Sequence, residues 1–359
     1  MEKTQTGRRA RCAVLAGPGS LAIGEREFPA ASPDGVLLAV EVCGVCRTDR
    51  KAFHMGQRDL VFPRVLGHEI VGHLLDVGSA VVGFEVGERV QVFPGVACGS
   101  CEYCQHGIDN LCDKMQIIGF HLDGGFSELL SLSGDILQSG ILNKVPEGLD
   151  SRTASLAEPL ACSLNMLKRL SLQQAETVVV FGAGPLGVLT SQLARVRGAE
   201  RIVIVEPMAA RRALSTRLAD LSLDFDNNTA SAIMDFSHGR GADVVLPCCP
   251  GNDAFQMGLE VAAKRGQIGF FSGLTDASDI GNSALNHVHY RELSLVGAYG
   301  CSSTDDREAL ELLATGQVGM ADLPTRDISW PELPEVLFTL DPFEHVFTFF
   351  YPTPKELEL

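Results

Sequence analysis

Up to about residue 150 the apolar positions fall in short runs broken by Gly, Pro and Asp, as in GVLLAVEVCGV, GHEIVGHLLDVGSAVVG and GERVQVFPG. Runs of that length with such punctuation predict short β-strands joined by tight turns, an antiparallel, barrel-like domain. From about 153 to 295 the texture changes to buried strands alternating with helical spacing. Strands are expected at Glu176–Phe181, Arg201–Glu206, Asp243–Pro247 and Gly266–Phe271, with helices at Pro185–Arg197, Met208–Leu221 and Ala254–Ala263. That alternation predicts an α/β domain built on a doubly wound parallel sheet. A further strand at Glu292–Gly297, a helix at Asp305–Ala314 and an irregular tail ending in PKELEL complete the pattern, with no internal repeat.

Length agrees with this division, because 359 residues exceed one ordinary core and two domains are expected. A hydrophobic share of 45% against 21% charged residues describes a packed globular chain. No apolar run reaches membrane-spanning length. The N-terminal MEKTQTGRRARCAVLAGPGS lacks the apolar core of a secretory signal, so a cytoplasmic protein is expected. A net charge of −16 with no Lys/Arg block argues against a nucleic-acid partner, which would need a basic face.

Four of the eleven cysteines crowd into CGSCEYCQHGIDNLC, at Cys98, Cys101, Cys104 and Cys112. Two disulfides, one metal or a redox relay would each use such a cluster. An odd cysteine total and a reducing compartment favour the metal. A second chemical pattern is Gly182-Ala-Gly184-Pro185-Leu186-Gly187, directly after a predicted strand and opening a predicted helix, with the acidic Glu206 ending the next strand. The glycines let the backbone approach a pyrophosphate seated on the helix N-terminus, while Glu206 accepts from ribose hydroxyls and repels a 2′-phosphate. NAD is therefore expected over NADP, although Arg211 and Arg212 nearby offer a phosphate partner. A third pattern combines Cys46-Arg47-Thr48-Asp49 with Gly67-His68-Glu69, and Glu158 in AEPLACS adds a carboxylate at a helix start. Thiolate, imidazole and carboxylate are the donors of a catalytic zinc with an open position.

Together, CGVCRTD, GHE, the four-cysteine lobe, EPLACSLN and VFGAGPLG resemble the zinc-dependent medium-chain alcohol and polyol dehydrogenases, in order and spacing from about residue 36 to about 300. The resemblance implies a GroES-like catalytic domain over 1–152, a Rossmann domain over 153–295 and a return to the catalytic domain over 296–359. It implies a catalytic zinc on Cys46, His68 and Glu158, with Glu69 as a fourth ligand or a partner behind the ligands and Cys162 as a competing thiol. It implies a structural zinc on Cys98, Cys101, Cys104 and Cys112. In that family's chemistry the metal polarises the substrate oxygen and hydride passes to or from the nicotinamide. Thr48 matches the proton-relay hydroxyl and Arg47 a pyrophosphate contact. Ethanol-type members continue the relay with a histidine where this chain has Lys51, which leaves two readings open: a relay through water and the ribose, or a substrate contact by Lys51. The glutamate-type metal site implies a secondary alcohol or ketone of a polyol, sugar or (amino)cyclitol, handled by a homodimer or homotetramer. The alternative is a non-catalytic homologue that binds zinc and nucleotide.

Overall fold

The computed structural model describes residues 7–170, 172, 177–273, 281–339 and 344–349; Glu176 and the PKELEL tail lie outside them. The chain forms two units. One comprises Met1–Glu158, Ser302–Ala314 and Thr325–Leu359, the other Pro159–Cys301 and Thr315–Pro324.

In the first unit the chain opens with a hairpin, β1 (Arg8–Gly17) and β2 (Ser20–Phe28), followed by β3 (Val36–Val45), β4 (Arg64–Val65), β5 (Glu69–Val77) and β6 (Arg89–Val92). Short strands β7 (Gly95–Val96) and β8 (Gln116–Ile117) pair beside the four-cysteine segment, before β9 (Leu129–Leu132) and β10 (Leu142–Lys144). β3 is a continuous aliphatic strand, buried at every position but Glu41, as a strand covered on both faces must be. It organises a sheet of order β10-β6-β5-β3, with β9 paired to its first half.

The second unit carries β11 (Thr177–Phe181), β12 (Arg201–Val205), β13 (Leu221–Leu223), β14 (Ala242–Pro247), β15 (Ala262–Phe270) and β16 (Ser294–Gly297). They form one parallel sheet in the order β13-β12-β11-β14-β15-β16. Val179, Phe181, Val203, Val205 and Val245 pack on one face against Phe255, Leu259 and Ile233 from the covering helices. The expected helix Met208–Leu221 stops early: the helix is Ala209–Ser215, and Leu221 opens the edge strand β13. Three half-buried residues at a sheet edge are too short a run to declare themselves by period. Helices Thr229–Phe236 and Gly281–Arg291 were likewise not expected.

The tail is not irregular where it is described. Strands β17 (Thr325–Ile328) and β18 (His345–Phe349) return to the first unit, β18 pairing antiparallel with the second half of β3. His345 and Thr348 interrupt the apolar run of β18, which hides a buried strand from the pattern.

The same unit hides an acid. Asp306, in the helix Ser303–Ala314, is fully buried and accepts from Gln91 Nε2 (3.2 Å) and Asn143 Nδ2 (2.8 Å). Burial first, and the Glu158 charge second, raise its pKa to about 8. The folded chain thus binds this proton where the unfolded chain has released it, so this group's contribution to stability falls as pH rises from about 4 to about 8. Asp306→Asn, an isostere of the protonated acid, is expected to match the parent near pH 3 and to gain on it steadily above about pH 4, by on the order of 5 kcal/mol at pH 8. Parallel melting curves against pH for the two proteins would contradict the assignment.

Candidate active site and metal centres

Cys46 directly follows β3 and caps the helix Arg47–Met55. Its Sγ accepts from the Thr48 amide at 3.5 Å, and the Asp49 carboxylate accepts from the Cys46 amide at 3.0 Å. This is a capping box with sulfur in place of a hydroxyl. The arrangement points Asp49 inward, where its other oxygen takes the Gly67 amide at 3.2 Å and stands 3.2 Å from His68 Nδ1. Glu69 opens β5 with His68 just before it, and ligand atoms of Cys46, His68 and Glu69 lie within 4.8 Å of one another.

Electrostatics show what these donors lack. Burial pushes the Cys46 thiol up, against the opposing pull of His68. Burial pushes the His68 imidazole down, yet the Asp49 charge and the Cys46 thiol carry it well above its ordinary value. Glu69 is lowered despite its burial, through His345, His68 and Arg50. Two buried carboxylates and a thiol around one imidazole thus draw in positive charge, a place a divalent cation takes when it displaces protons from its ligands. A sulfur, a nitrogen and an oxygen donor fit a zinc ion with a position left open.

Glu158 stands in the first turn of the helix Ala157–Arg169, with Cys162 one turn further on. It does not join the other three donors within 4.8 Å, and its charge acts on Asp306. Arg47, Thr48 and Lys51 are exposed on the helix that Cys46 caps, with Thr48 Oγ1 3.6 Å from Cys46 Sγ and Lys51 three residues further along. Two residues at this site had no local sequence signal. Arg50 is buried and donates to the Val336 carbonyl at 3.2 Å, and His345 lies 3.1 Å from Glu69.

Cys98, Cys101, Cys104 and Cys112 hold their sulfurs within 4.8 Å of one another, and all four are free thiols. Tetrahedral thiolates at the usual zinc–sulfur length stand roughly 3.8 Å apart. Backbone amides aim at the sulfurs, Cys98 and Lys114 donating to Cys112 Sγ at 3.2 and 3.3 Å. Hydrogen bonds from Ser100 lower Cys98 to about 6, whereas burial and the neighbouring sulfurs push Cys104 up to about 12. Crowded sulfurs with amide donors fit a closed zinc site.

In the second unit the glycine-rich turn joins β11 to the helix Pro185–Val196, with Gly184 as its cap and Pro185 and Leu186 in its first turn. A Cβ at Gly187 would fall 1.9 Å from the Gly182 carbonyl oxygen, so only glycine lets this helix start so close to the strand. Glu206 follows β12, and its two oxygens accept from the Ala183 amide (2.7 Å) and the Met208 amide (2.8 Å). The Arg211 guanidinium lies 3.5 Å from where a Cβ on Gly184 would be. Arg212 donates to the Glu206 and Pro207 carbonyls and pairs with Asp224.

A parallel sheet with this turn, a zinc-type donor set and a four-thiol lobe define a metal- and dinucleotide-dependent oxidoreductase. Residues 32–139 match the alcohol dehydrogenase GroES-like domain, and residues 185–315 match the zinc-binding dehydrogenase model. A sorbitol dehydrogenase of Halalkalibacterium halodurans is 30% identical over 88% of this chain and 91% of its own length. The L-galactonate-5-dehydrogenase of Escherichia coli is 31% identical over 84% of this chain and 86% of its own. A Sinorhizobium meliloti protein described as a zinc-binding dehydrogenase, solved with NADP, has a TM-score of 0.86 at 28% identity, covering 95% of this chain and 99% of that one. The chain belongs to the zinc-type alcohol dehydrogenase family, as a zinc-dependent, NAD(P)-linked alcohol dehydrogenase. No helix among the described residues is long and apolar enough to cross a membrane.

Proposed function

We propose that this dehydrogenase interconverts a secondary alcohol and a ketone on a polyol, sugar or (amino)cyclitol, with NAD preferred to NADP. The gathering of a thiol, an imidazole and a carboxylate, from Cys46, His68 and Glu69, within 4.8 Å carries the reading. The relatives named for sorbitol and L-galactonate support the substrate class. The buried carboxylates of Asp49 and Glu69 make this neighbourhood acidic, which suits a polyhydroxylated or cationic substrate.

In this reading Cys46 and His68 hold the catalytic zinc with Glu158, and Glu69 serves as a further ligand or stands behind them. Cys98, Cys101, Cys104 and Cys112 hold the second zinc. Bound zinc supplies a Lewis acid at the substrate oxygen. Asp49 keeps the His68 ring turned toward the other donors through Nδ1, as carboxylate partners of metal-bound histidines do. Thr48 Oγ1 receives the substrate hydroxyl proton and passes it outward along the exposed helix face, where Lys51 stands. Gly182, Gly184 and Gly187 admit the pyrophosphate and Arg47 neutralises it, while Arg211 offers a partner to a 2′-phosphate. Glu206 meets the adenosine ribose. The protein acts in the cytoplasm as a dimer or tetramer joined through the edge strand β16; a monomer by light scattering at micromolar concentration would remove that part.

The test is a screen of polyols and cyclitols with each nicotinamide cofactor, followed by absorbance, on protein shown by elemental analysis to carry two zinc per chain. Glu158→Ala is expected to cost at least about a hundredfold in turnover or metal affinity, the scale of a disturbed metal shell; Cys162→Ala costs little. The reverse pattern would overturn the polyol-type assignment. Full zinc loading with no turnover on any substrate would favour the non-catalytic homologue.

A further inference from the structure

Glu69 is 1% exposed, and a buried carboxylate needs a partner. The cationic groups acting on it are His345, His68 and Arg50. His345, itself 3% exposed, stands close to it as an ion-pair partner, with Nε2 3.1 Å from Oε2 though off the line of a well-formed hydrogen bond. The two residues belong to different strands, β5 and β18, with β3 between them.

The carboxylate reaches across that middle strand through a gap. Glu69 stands opposite Gly44, and a Cβ on Gly44 would fall 1.8 Å from Glu69 Oε2. On the other side, β18 aligns Thr348 with Cys43, Phe347 with Gly44 and Val346 with Val45, which leaves His345 abreast of Cys46. Thr348 Oγ1 fixes this register by donating to the Cys43 carbonyl at 2.8 Å. The missing side chain at Gly44 is therefore the passage by which a β5 carboxylate meets a β18 imidazole, next to the strand end that presents Cys46.

We propose that His345 is a positioning residue of the catalytic metal site, holding the Glu69 carboxylate through the Gly44 gap beside Cys46 and His68. The inference rests on reading Cys46, His68 and Glu69 as zinc-binding. His345 itself need not touch metal or substrate; it fixes where Glu69 stands, and strand β18 thereby contributes to metal retention.

The test is zinc release from the full-length, two-zinc protein to a chromogenic chelator. The parent is expected to show two phases, one for each site. His345→Ala should accelerate the phase belonging to Cys46 and His68 by about 10–100-fold, the range for partners that orient ligands, and leave the four-cysteine phase unchanged. His345→Gln, whose amide keeps a donor near the Nε2 position, should restore most of the retention. Gly44→Ala should act like His345→Ala, because the added methyl occupies the passage. Parental release from His345→Ala overturns the proposal. So does equal acceleration of both phases, which would mark a general loosening of the unit. A parent protein that carries only the four-cysteine zinc fails earlier, at the reading of the catalytic site, and takes the proposal with it.

Discussion

Cys46→Ser abolishes turnover and empties the catalytic zinc site while the unit stays folded. Serine suits this substitution because Cys46 has two duties. As a cap it offers Sγ to the Thr48 amide and its own amide to Asp49. A serine hydroxyl performs the first of these at least as well, since Ser is among the preferred N-cap residues. The second is a backbone bond and survives any side chain. What serine cannot supply is a thiolate donor for zinc. The expected result is a melting temperature near the parent's, one zinc per chain and no measurable hydride transfer. Retained activity with one zinc per chain would show that the four-cysteine lobe, or no metal, serves catalysis.

Cys101→Ser produces the opposite division, with a loss of stability before any loss of chemistry. The segment it belongs to has almost nothing else to hold it. The short helices Glu102–Gln105 and Asp109–Leu111 contain no buried residue, and Tyr103, Ile108 and Leu111 are exposed. A loop without apolar contacts takes its order from the metal. Losing one of four sulfurs is expected to release that zinc and lower the melting temperature by roughly 10 °C, with falling solubility. An unchanged melting curve with the zinc gone would mean that β7, β8 and the Asp109 carboxylate, which accepts from the Ser303 amide at 3.1 Å, suffice to order the lobe.

Much of this molecule was legible because its chemistry is local in sequence. The turn from Gly182 to Gly187 declares itself, since two backbone segments that nearly touch leave glycine as the only choice. The four cysteines lie within fifteen residues, and Cys46 and Asp49 belong to one helix cap. What stayed hidden depends on distant strands meeting. His345 carries no mark of its partner, because the pairing with Glu69 is created by the order of β5, β3 and β18. Asp306 reads as one more acid in a charged helix until Gln91 and Asn143 are seen around it. The return strands were missed for a related reason: polar residues that a buried site or a sheet bond requires break the apolar alternation by which strands are recognised.

The position of β18 also has a consequence for how the chain is made. The edge of β3 from Val42 to Val45 is covered by a strand synthesised ~300 residues later, after the whole nucleotide-binding unit. At roughly 5–20 residues per second that interval is on the order of 15–60 s. Throughout it the nascent first unit exposes an apolar strand edge, the kind of surface that recruits other chains. The ribosome therefore releases a protein whose catalytic sheet closes last, and its yield in the cell depends on what shields that edge in the meantime.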